Sequence, residues 1–304
     1  MTLTELRYAI TLACEKHFGK AAKVCHVSQP TLSVAINKLE SELGVALFER
    51  DRNHVRVTEI GKQIIAQAQH SLDQVNQIRD IAEGGRSQLN VPLKVGAIYT
   101  VGPYLFPNLI PKLKKIAHNM PLFIQEDFTA NLRVKLLQGE LDAIFISLPF
   151  SEGGVVTQAL YDEPFVILMR KDHPLSHKAT IKASELKAEE MLLLGKDHCF
   201  RSQIMEACPH CQTDAGIQKT IEGTSLETLR HMVASGIGIT VLPSTATQIQ
   251  YYKSILCTKS FAGKMPKRRI ALAWRVSFTR PKAIGALIQA LHESAMQSIC
   301  LLPE

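Results

Sequence analysis

The chain of 304 residues is poor in cysteine, with 7, and contains no apolar run long enough to cross a bilayer. So few cysteines exclude a disulfide scaffold, and each cysteine has to be interpreted singly. The missing apolar run predicts a protein without a transmembrane helix or a membrane partner. The first 20 residues place charges inside their apolar stretch and lack a small-residue cleavage site, which argues against a signal peptide. We therefore expect a cytoplasmic protein whose thiols start out reduced.

Composition and net charge narrow the class of protein. Hydrophobic residues make up 46% and charged residues 21% of the chain, which is the balance of a folded protein rather than a disordered or collagen-like one. The length allows about two domains. The net charge of +7 suggests a polyanionic partner, but residues 1–58 hold only +2 of it, from 8 basic and 6 acidic side chains. A nucleic-acid function therefore has to be argued from a motif.

Helical spacing and capping residues divide residues 1–58 into short helices followed by a hairpin. The last of these helices has Ser28 as its N-cap, Pro30 in its first turn and Gly44 at its end. Its apolar face is formed by Leu32, Ile36, Leu39 and Leu43. A short helix, a tight turn and a capped amphipathic helix are together typical of a helix-turn-helix, whose second helix enters the major groove of DNA.

The polar side chains of this motif are the candidate contacts to double-stranded DNA. Gln29 suits adenine or a phosphate, and Thr31 and Ser33 suit phosphates or a thymine methyl group. Three arginines near the hairpin are expected to contact the DNA backbone or the minor groove, as those of a wing do. They are Arg50, Arg52 and Arg56. Spacing alone leaves a second interpretation open, which is an ordinary three-helix subdomain with a solvated polar face.

A long helix is predicted after Thr58, which caps it. Its apolar residues recur every three or four positions, and neither Pro nor Gly interrupts residues 62–83. The apolar residues are Ile64, Ile65, Ala68, Leu72, Val75, Ile78 and Ala82. Because a lone helix of this length has nothing of its own to pack against, the stripe predicts a partner helix from a second subunit and thus a homodimer. Residues 84–87 are expected to follow it as a hinge.

From residue 91 on, short apolar runs alternate with helical patterns. The runs are Leu93 to Ile98, Leu122 to Glu126, Ala143 to Ser147, Phe165 to Met169, Gly238 to Leu242 and Ile270 to Trp274. This alternation is typical of an α/β domain with parallel strands and crossover helices. About 215 residues suffice for two small lobes, with a ligand site between them at the carboxyl ends of strands.

Three of the cysteines lie close together in the second half of the chain, Cys199, Cys208 and Cys211. A loop precedes Cys199, so this residue is predicted in the first turn of a helix, beside His198 and near Arg201. A helix N-terminus and cationic neighbours both favour the thiolate, which is the reactive form of cysteine. The sequence therefore marks Cys199 as a candidate redox-active thiol that peroxide could oxidise.

Cys208 falls on the apolar face of the same predicted helix, with Phe200 and Ile204, and is expected to be buried. The helical rise separates the Cα atoms of Cys199 and Cys208 by about 13 Å. A disulfide needs about 4.4–6.8 Å, so oxidation of this pair has to be coupled to refolding of the segment. Cys211 stays open as a competing partner. The other open alternative is a zinc site formed by His198, Cys199, Cys208, His210 and Cys211. The lack of a second Cys-x-x-Cys pair argues against zinc, and we expect no metal and no cofactor.

The DNA-binding segment closely resembles the winged helix-turn-helix of LysR-type transcriptional regulators. The matching residues are FGKAAKVCHVSQPTLSVAINKLESELGVALFER, and the resemblance covers residues 3–65 without gaps. It implies DNA binding, a linker helix that dimerises, and a two-lobed effector domain that assembles into homotetramers. RNA polymerase is the expected further partner. Val34 occupies a position at which many members have a polar residue, so the preferred bases cannot be inferred.

These observations together predict an α/β protein with three parts. They are a winged helix-turn-helix at 1–58, a linker helix and hinge at 59–88, and a two-lobed, periplasmic-binding-protein-like regulatory domain at 89–304. Lobe I is expected to combine residues 89–162 with 268–304, and lobe II to comprise residues 163–267.

The cysteine region resembles the OxyR branch of the same family, whose members are activators that sense hydrogen peroxide. The matching motif is His198-Cys199-Phe200-Arg201-Ser202-Gln203 followed by Cys208. The flanking segments Tyr99 to Leu105 and Thr224 to Arg230 also match.

This second resemblance implies a role for each residue of the site. Cys199 is the peroxidatic thiol, and Cys208 is the resolving thiol that forms an intramolecular disulfide with it. Thr100, Thr129 and His198 line the peroxide pocket, where hydroxyls and an imidazole can hold peroxide by hydrogen bonds. Without the resemblance, strand-end capping is the simpler explanation for both threonines.

Three functional hypotheses follow. The first is a peroxide-responsive transcriptional activator of antioxidant genes, which is not an enzyme. The second is a LysR-type regulator that binds a small metabolite between its lobes, with Cys199 as an incidental core residue. The third is a thiol enzyme of peroxidase or disulfide-exchange type, which the complete DNA-binding motif disfavours. A response to peroxide separates the first hypothesis from the second, and catalytic turnover would support the third.

Overall fold

The computed structural model describes residues 1–50, 55–82, 88–209, 222–247, 252–294, 296 and 298–303. The chain begins with the helices α1 (Leu3–Glu15), α2 (Phe18–Val24) and α3 (Gln29–Leu43). An antiparallel wing follows, with β1 (Phe48–Arg50) and β2 (Val55–Val57), and then the long helix α4 (Glu59–Ala82). This order confirms the winged helix-turn-helix and the linker helix of the predicted fold.

The predicted caps explain where α3 and α4 begin and where α3 ends. The Ser28 hydroxyl accepts a hydrogen bond from the Thr31 N–H at 3.2 Å, which satisfies a free donor of the first turn of α3. Gly44 ends α3 with φ at 70°, a left-handed conformation that favours glycine. The Thr58 hydroxyl accepts the Gly61 N–H at 2.9 Å in the first turn of α4. Local chemistry therefore sets these three boundaries.

The linker helix α4 packs against the helix-turn-helix of its own subunit. Ala68 and Leu72 are each 5% exposed, and they share an apolar core with Leu32 while α4 lies along α1. The expectation that this apolar stripe has no partner within the chain is therefore wrong for the middle of the helix. Ile78 of the stripe is 65% exposed, and Ile60, four residues before the stripe begins, is 43% exposed, so part of the apolar surface of α4 remains uncovered by the described residues.

The rest of the described chain is a two-lobed α/β domain, as predicted. Its strands are β3 (Leu93–Ile98), β4 (Leu122–Asp127), β5 (Ala143–Ser147), β6 (Val155–Arg170), β7 (Thr180–Ile181), β8 (Leu193–Leu194), β9 (Glu222–Gly223), β10 (Thr240–Pro243), β11 (Leu256–Phe261), β12 (Lys267–Arg275) and β13 (Cys300–Leu301). Its helices are α5 (Gly102–Ile116), α6 (Thr129–Leu137), α7 (Cys199–Ala207), α8 (Leu226–Ala234) and α9 (Pro281–His292). Each predicted apolar run lies in or overlaps a strand. Across the described ranges, no helix is both long and apolar enough to cross a membrane.

The strand directions differ from the parallel arrangement that the sequence predicts. Strand β3 runs parallel to β4 and β5, but β12 runs antiparallel to β5 and β6. Strand β6 also runs antiparallel to β10 and β11. The sheet order is β4-β3-β5-β12-β6-β11-β7, with β10 and β13 also paired to β6. The sheet is mixed because the chain leaves lobe I through β6 and returns through β12 in the opposite direction.

Strand β6 joins the two lobes and separates their cores. Its first half pairs with β12, and its second half pairs with β10 and β11. The core of lobe I is built from residues within 93–161 and 270–291, whereas the core of lobe II is built from residues within 165–261. The two crossing strands therefore place the ends of β3, α6 and α7 next to one another at the boundary between the lobes.

Candidate functional site

Cys199 is the first residue of α7, so it lies in the first turn of a helix as the sequence predicts, and His198 is the N-cap. Phe200 and Ile204 are fully buried in the core of lobe II, so the apolar face of α7 fixes the helix to that lobe. Cys199 is half-buried and packs instead against the core of lobe I. Its thiol therefore lies at the N-terminus of α7, at the boundary between the two lobes.

The structure brings Cys199 together with the three residues expected to form a pocket. Thr100, which follows β3, Thr129, which begins α6, and His198 line one small cavity with Cys199. The cavity volume is about 10 Å³, which is the space of about one water-sized molecule. Thr100 is 2% and His198 is 7% exposed. The arrangement can therefore hold a molecule of very few atoms by hydrogen bonds next to the thiol.

His198 is held between aromatic rings and is uncharged at neutral pH. Phe128 meets the imidazole edge to face at 4.9 Å, and Tyr99 lies 6.1 Å from it. Burial lowers the pKa of His198 below its ordinary value of 6.5, against smaller raising effects from the Thr224 backbone and the Asp197 charge. The expected cationic histidine beside Cys199 is therefore wrong. A neutral ring can instead donate one hydrogen bond and accept another.

Arg268 of β12 lies directly behind the pocket, and sequence reasoning missed it. Its Nη1 donates to the Thr100 hydroxyl and its Nη2 to the Thr100 carbonyl, both at 2.8 Å. Its Nε donates to Glu163 at 2.6 Å, and both charged side chains are fully buried. The guanidinium also lies 5.0 Å from the centre of the Phe200 ring. Because the Thr100 oxygen accepts from Arg268, the Thr100 proton is free to be donated in the pocket.

Cys208 follows the last residue of α7 and is fully buried in the core of lobe II, as predicted. The six cysteines of the described ranges are free thiols. With α7 between them, the Cα atoms of Cys199 and Cys208 are about 13 Å apart. This fold therefore corresponds to the reduced pair. His210 and Cys211, on which the zinc hypothesis and the competing disulfide depend, lie outside the described residues.

Gln203, one turn after Cys199, joins α7 to lobe I. Its amide donates to the Ser147 hydroxyl at 2.7 Å across the boundary between the lobes. A wider cavity of about 1270 Å³ opens on this side of α7, and Cys199 and Arg268 also line it. The small-metabolite hypothesis would place its ligand in this open cleft.

The predicted DNA-reading face of α3 is open to solvent. Gln29 and Thr31 are exposed and Ser33 is half-buried. The Thr31 hydroxyl lies 2.7 Å from the Ser28 hydroxyl, so it also takes part in the cap. Val34 is 66% exposed on the same helix. An exposed apolar group at this place suits the methyl group of thymine.

The structure describes two of the three arginines that were predicted for the wing. Arg56 is exposed on β2, where it lies opposite Glu49 of β1. Arg50 is the last residue of β1, and Arg52 lies outside the described residues. The wing strand β2 therefore presents one of the three expected basic side chains to solvent.

Two family descriptions match the chain. Residues 3–62 match the bacterial regulatory helix-turn-helix protein of the lysR family, and residues 86–296 match the LysR substrate binding domain. The first match covers the helix-turn-helix and the wing, and the second covers both lobes.

Relatives resemble the chain over nearly its whole length. The hydrogen peroxide-inducible genes activator of Dickeya chrysanthemi is 38% identical over 275 residues, which is 90% of each chain. Full-length OxyR from Pseudomonas aeruginosa, solved with a cysteine-to-aspartate substitution, is 51% identical with a TM-score of 0.72 and covers 100% of this chain and 98% of its own. A cysteine mutant of OxyR from Corynebacterium glutamicum, solved with hydrogen peroxide bound, is 31% identical with a TM-score of 0.65 and covers 98% and 93%.

Proposed function

The chain belongs to the LysR family of bacterial transcriptional regulators, in its OxyR branch, and we propose that hydrogen peroxide switches it through Cys199. The observation that carries this proposal is the small cavity in which Cys199 meets Thr100, Thr129 and His198. A cavity of about 10 Å³ suits hydrogen peroxide better than an alkyl hydroperoxide. The relative named as a hydrogen peroxide-inducible activator, and the solved relative with peroxide bound, support the same ligand.

In the proposed first step, the Cys199 thiolate attacks one oxygen of hydrogen peroxide and the O–O bond breaks. The sulfur is oxidised to a sulfenic acid, and the departing hydroxide takes up a proton and leaves as water. The Thr100 hydroxyl, whose oxygen accepts from Arg268, donates its hydrogen bond to the developing hydroxide. Thr129 and neutral His198 orient the peroxide by hydrogen bonds.

In the proposed second step, the Cys208 thiol attacks the sulfenic sulfur. The S–S bond forms, the S–O bond breaks, and the hydroxyl leaves as water with the Cys208 proton. Because Cys208 is fully buried and lies about 13 Å from Cys199 along α7, this step requires α7 to unfold. The disulfide state is then a different conformation of lobe II, which is the property that a switch needs.

We further propose that the protein acts in the cytoplasm on promoter DNA as a homodimer joined through α4 and as a homotetramer, together with RNA polymerase. The exposed Ile60 and Ile78 support a partner on α4. Leu72 packs within its own subunit, so a charge at Leu72 would damage the fold rather than test the dimer. Ile78 is the position at which a charge tests subunit association.

Disulfide mapping tests the switch. Reduced full-length protein receives less than one equivalent of hydrogen peroxide, its peptides are mapped by mass spectrometry, and its DNA footprint is recorded. We expect mainly Cys199–Cys208, with one oxidation event per subunit and a changed footprint. Cys208 belongs to the core of lobe II, so a bond to Cys208 requires that core to rearrange, whereas Cys211 follows Pro209 in the chain, beyond the end of α7.

Cumene hydroperoxide at the same dose is the size control, and it should oxidise Cys199 far more slowly. Cys211→Ser should respond to hydrogen peroxide like the wild type. A predominant Cys199–Cys211 bond, or a Cys211→Ser protein that hydrogen peroxide cannot switch, contradicts the role of Cys208. A protein that ignores peroxide and changes its footprint with a small metabolite would favour the open cleft as the sensing site.

Gln29→Ala is expected to change the preferred DNA sequence, because an exposed glutamine at the start of α3 can read a base edge. The expected loss of discrimination is about 1–3 kcal/mol at one base pair. Selection from random duplexes measures the preference of each protein. Arg56→Ala is the comparison, and it should weaken binding to all sequences and lower the salt slope by about one. Unchanged affinity and preference in Gln29→Ala would mean that α3 does not read DNA through this residue.

A further inference from the structure

Helix α6 runs from the Cys199 pocket to the DNA-binding unit of the same subunit, defined here as residues 1–58. Its first residue, Thr129, lines the pocket, and the preceding Phe128 lies 4.9 Å from the His198 ring. At about 1.5 Å per residue, α6 is roughly 13 Å long. Its far end packs against α1. One short helix therefore has one end in the pocket and the other at the DNA-binding unit.

A buried hydrogen bond joins the far end of α6 to α1. The Gln138 amide donates to the Thr11 hydroxyl, where Thr11 is fully buried and Gln138 is 8% exposed. The Thr11 hydroxyl in turn donates to the Arg7 carbonyl at 2.9 Å. The next residue, Gly139, has φ at +74°, and a Cβ there would lie 2.9 Å from the Asn76 amide nitrogen of α4. The end of α6 is thus fitted closely against both α1 and α4.

A buried charge network holds the same end of α6 to the linker helix. Nη1 of Arg275 donates to the carbonyls of Leu136 and, at 2.7 Å, Leu141. Nε of the same guanidinium lies 3.2 Å from the Asp73 carboxylate of α4, and both side chains are at most 7% exposed. The Ser277 hydroxyl also donates to Asp73. Arg275 of β12 therefore joins the end of α6, at the Leu136 carbonyl, to Asp73 of α4 in one buried set of contacts, and the loss of such a charged partner is strongly destabilising.

The pocket end of α6 is the end that touches the proposed redox site. When α7 unfolds, Phe128 and Thr129 lose the packing of His198 and Cys199. The middle of α6 is held by Leu132 and Leu136, both fully buried in the core of lobe I. A short helix fixed in this way shifts as one body, because packed interfaces move between discrete arrangements and do not deform continuously.

We propose that α6 transmits the redox state of Cys199 to the DNA-binding unit of its own subunit, directly through the Gln138–Thr11 contact and by way of α4 through the Arg275–Asp73 contact. The inference rests on the proposed function, since it requires that oxidation of Cys199 unfolds α7. It adds the route by which that change reaches DNA, and it assigns positioning roles to residues outside both sites.

Gln138→Met in the full-length protein tests the route, because methionine keeps the length of the side chain and removes the amide. The probe is a DNA duplex selected from random sequences with reduced wild-type protein. We expect the ratio between the DNA affinities of the reduced and oxidised proteins to move toward one by a factor of about five. This factor corresponds to the free energy of one hydrogen bond. The rate of Cys199 oxidation by hydrogen peroxide, followed by mass spectrometry, should stay unchanged.

The effect of DNA on the thiol–disulfide equilibrium is a second measurement. It would not change if Gln138 only stabilised the fold. If oxidation changes DNA affinity by some factor, DNA has to change the equilibrium between thiols and disulfide by the same factor. Titration in glutathione buffers with and without the duplex measures this shift. We expect the shift in the wild type, and we expect it to shrink in Gln138→Met and in Asp73→Asn.

Gln289→Met is the matched control, because its amide donates at 2.8 Å to Glu293 at the end of α9. It should keep the wild-type affinity ratio and redox shift. Thermal unfolding checks that the variants are folded. If both Gln138→Met and Asp73→Asn oxidise normally and keep the wild-type ratio, the proposal is wrong. If Cys199 of the wild type is not oxidised, the proposed function fails and this inference fails with it.

Discussion

Replacement of Cys199 by serine is expected to abolish the peroxide response and to leave DNA binding by the reduced protein intact. Serine keeps the shape of the side chain but provides no thiolate, so nucleophilic attack on peroxide stops. Cys199 packs against lobe I, whereas the core that supports α3 is formed by residues within 6–72. Footprint and affinity, measured with and without hydrogen peroxide, should therefore both stay at the reduced values.

Cys257→Ser is the matched control for this experiment. Cys257 is a half-buried thiol on β11 of lobe II, and burial raises its pKa, which keeps it protonated and unreactive. The control should respond to peroxide like the wild type. If Cys199→Ser still changed its footprint, another thiol would be the sensor. If the reduced Cys199→Ser protein lost DNA binding, the separation between sensor and DNA-binding unit would be wrong.

Sequence signals predicted those parts of the fold that depend on neighbouring residues. Ser28, Gly44 and Thr58 cap or end their helices because their side chains or backbone satisfy groups only a few positions away. The strands Leu93–Ile98 and Ala143–Ser147 agree with prediction residue for residue. A fully buried strand is a short apolar run between breakers, and this pattern can be recognised in one sequence.

Contacts between distant residues could not be predicted in the same way. An apolar run shows that a strand is buried but not in which direction its neighbour runs, so the antiparallel pairing of β6 and β12 was missed. The stripe on α4 showed that an apolar partner exists but not which one. The stripe therefore predicts Leu72 at a subunit interface, whereas it packs against the DNA-binding unit of its own chain.

For the same reason, only those residues of the candidate site that carry a local signal could be predicted from the sequence alone. The motif around Cys199 placed that thiol at the start of a helix, and the helical period placed Cys208 on the buried face. The resemblance supplied Thr100 and Thr129, and the roles of these residues stay predictions. No local signal marks Arg268, which is 168 positions away from Thr100 in the chain.

Arg268→Met is expected to lower both the stability of the regulatory domain and the rate of Cys199 oxidation. The fully buried Glu163 carboxylate loses its charged partner, which costs about 3–5 kcal/mol. Thr100 loses two hydrogen bonds, each worth about 1 kcal/mol, so its hydroxyl is no longer held in the orientation that donates to peroxide. Oxidation should slow by roughly tenfold or more. Denaturant unfolding of the reduced protein and quenched-flow mass spectrometry measure the two effects.

Addition of Glu163→Gln to Arg268→Met should separate the two effects. The second change removes the unpaired buried charge, and the glutamine oxygen can still accept from the Thr245 N–H, which lies 3.2 Å from Glu163. Most of the lost stability should return, whereas oxidation should stay slow because Thr100 still lacks its donor. Arg280→Met is the control. Arg280 is a buried arginine of lobe I whose Nη1 donates to the Pro92 carbonyl at 2.7 Å. The Arg280→Met protein should be less stable than the wild type, but its Cys199 should be oxidised at the wild-type rate. If oxidation of the double variant recovers together with stability, Arg268 acts on the reaction only by holding the fold together.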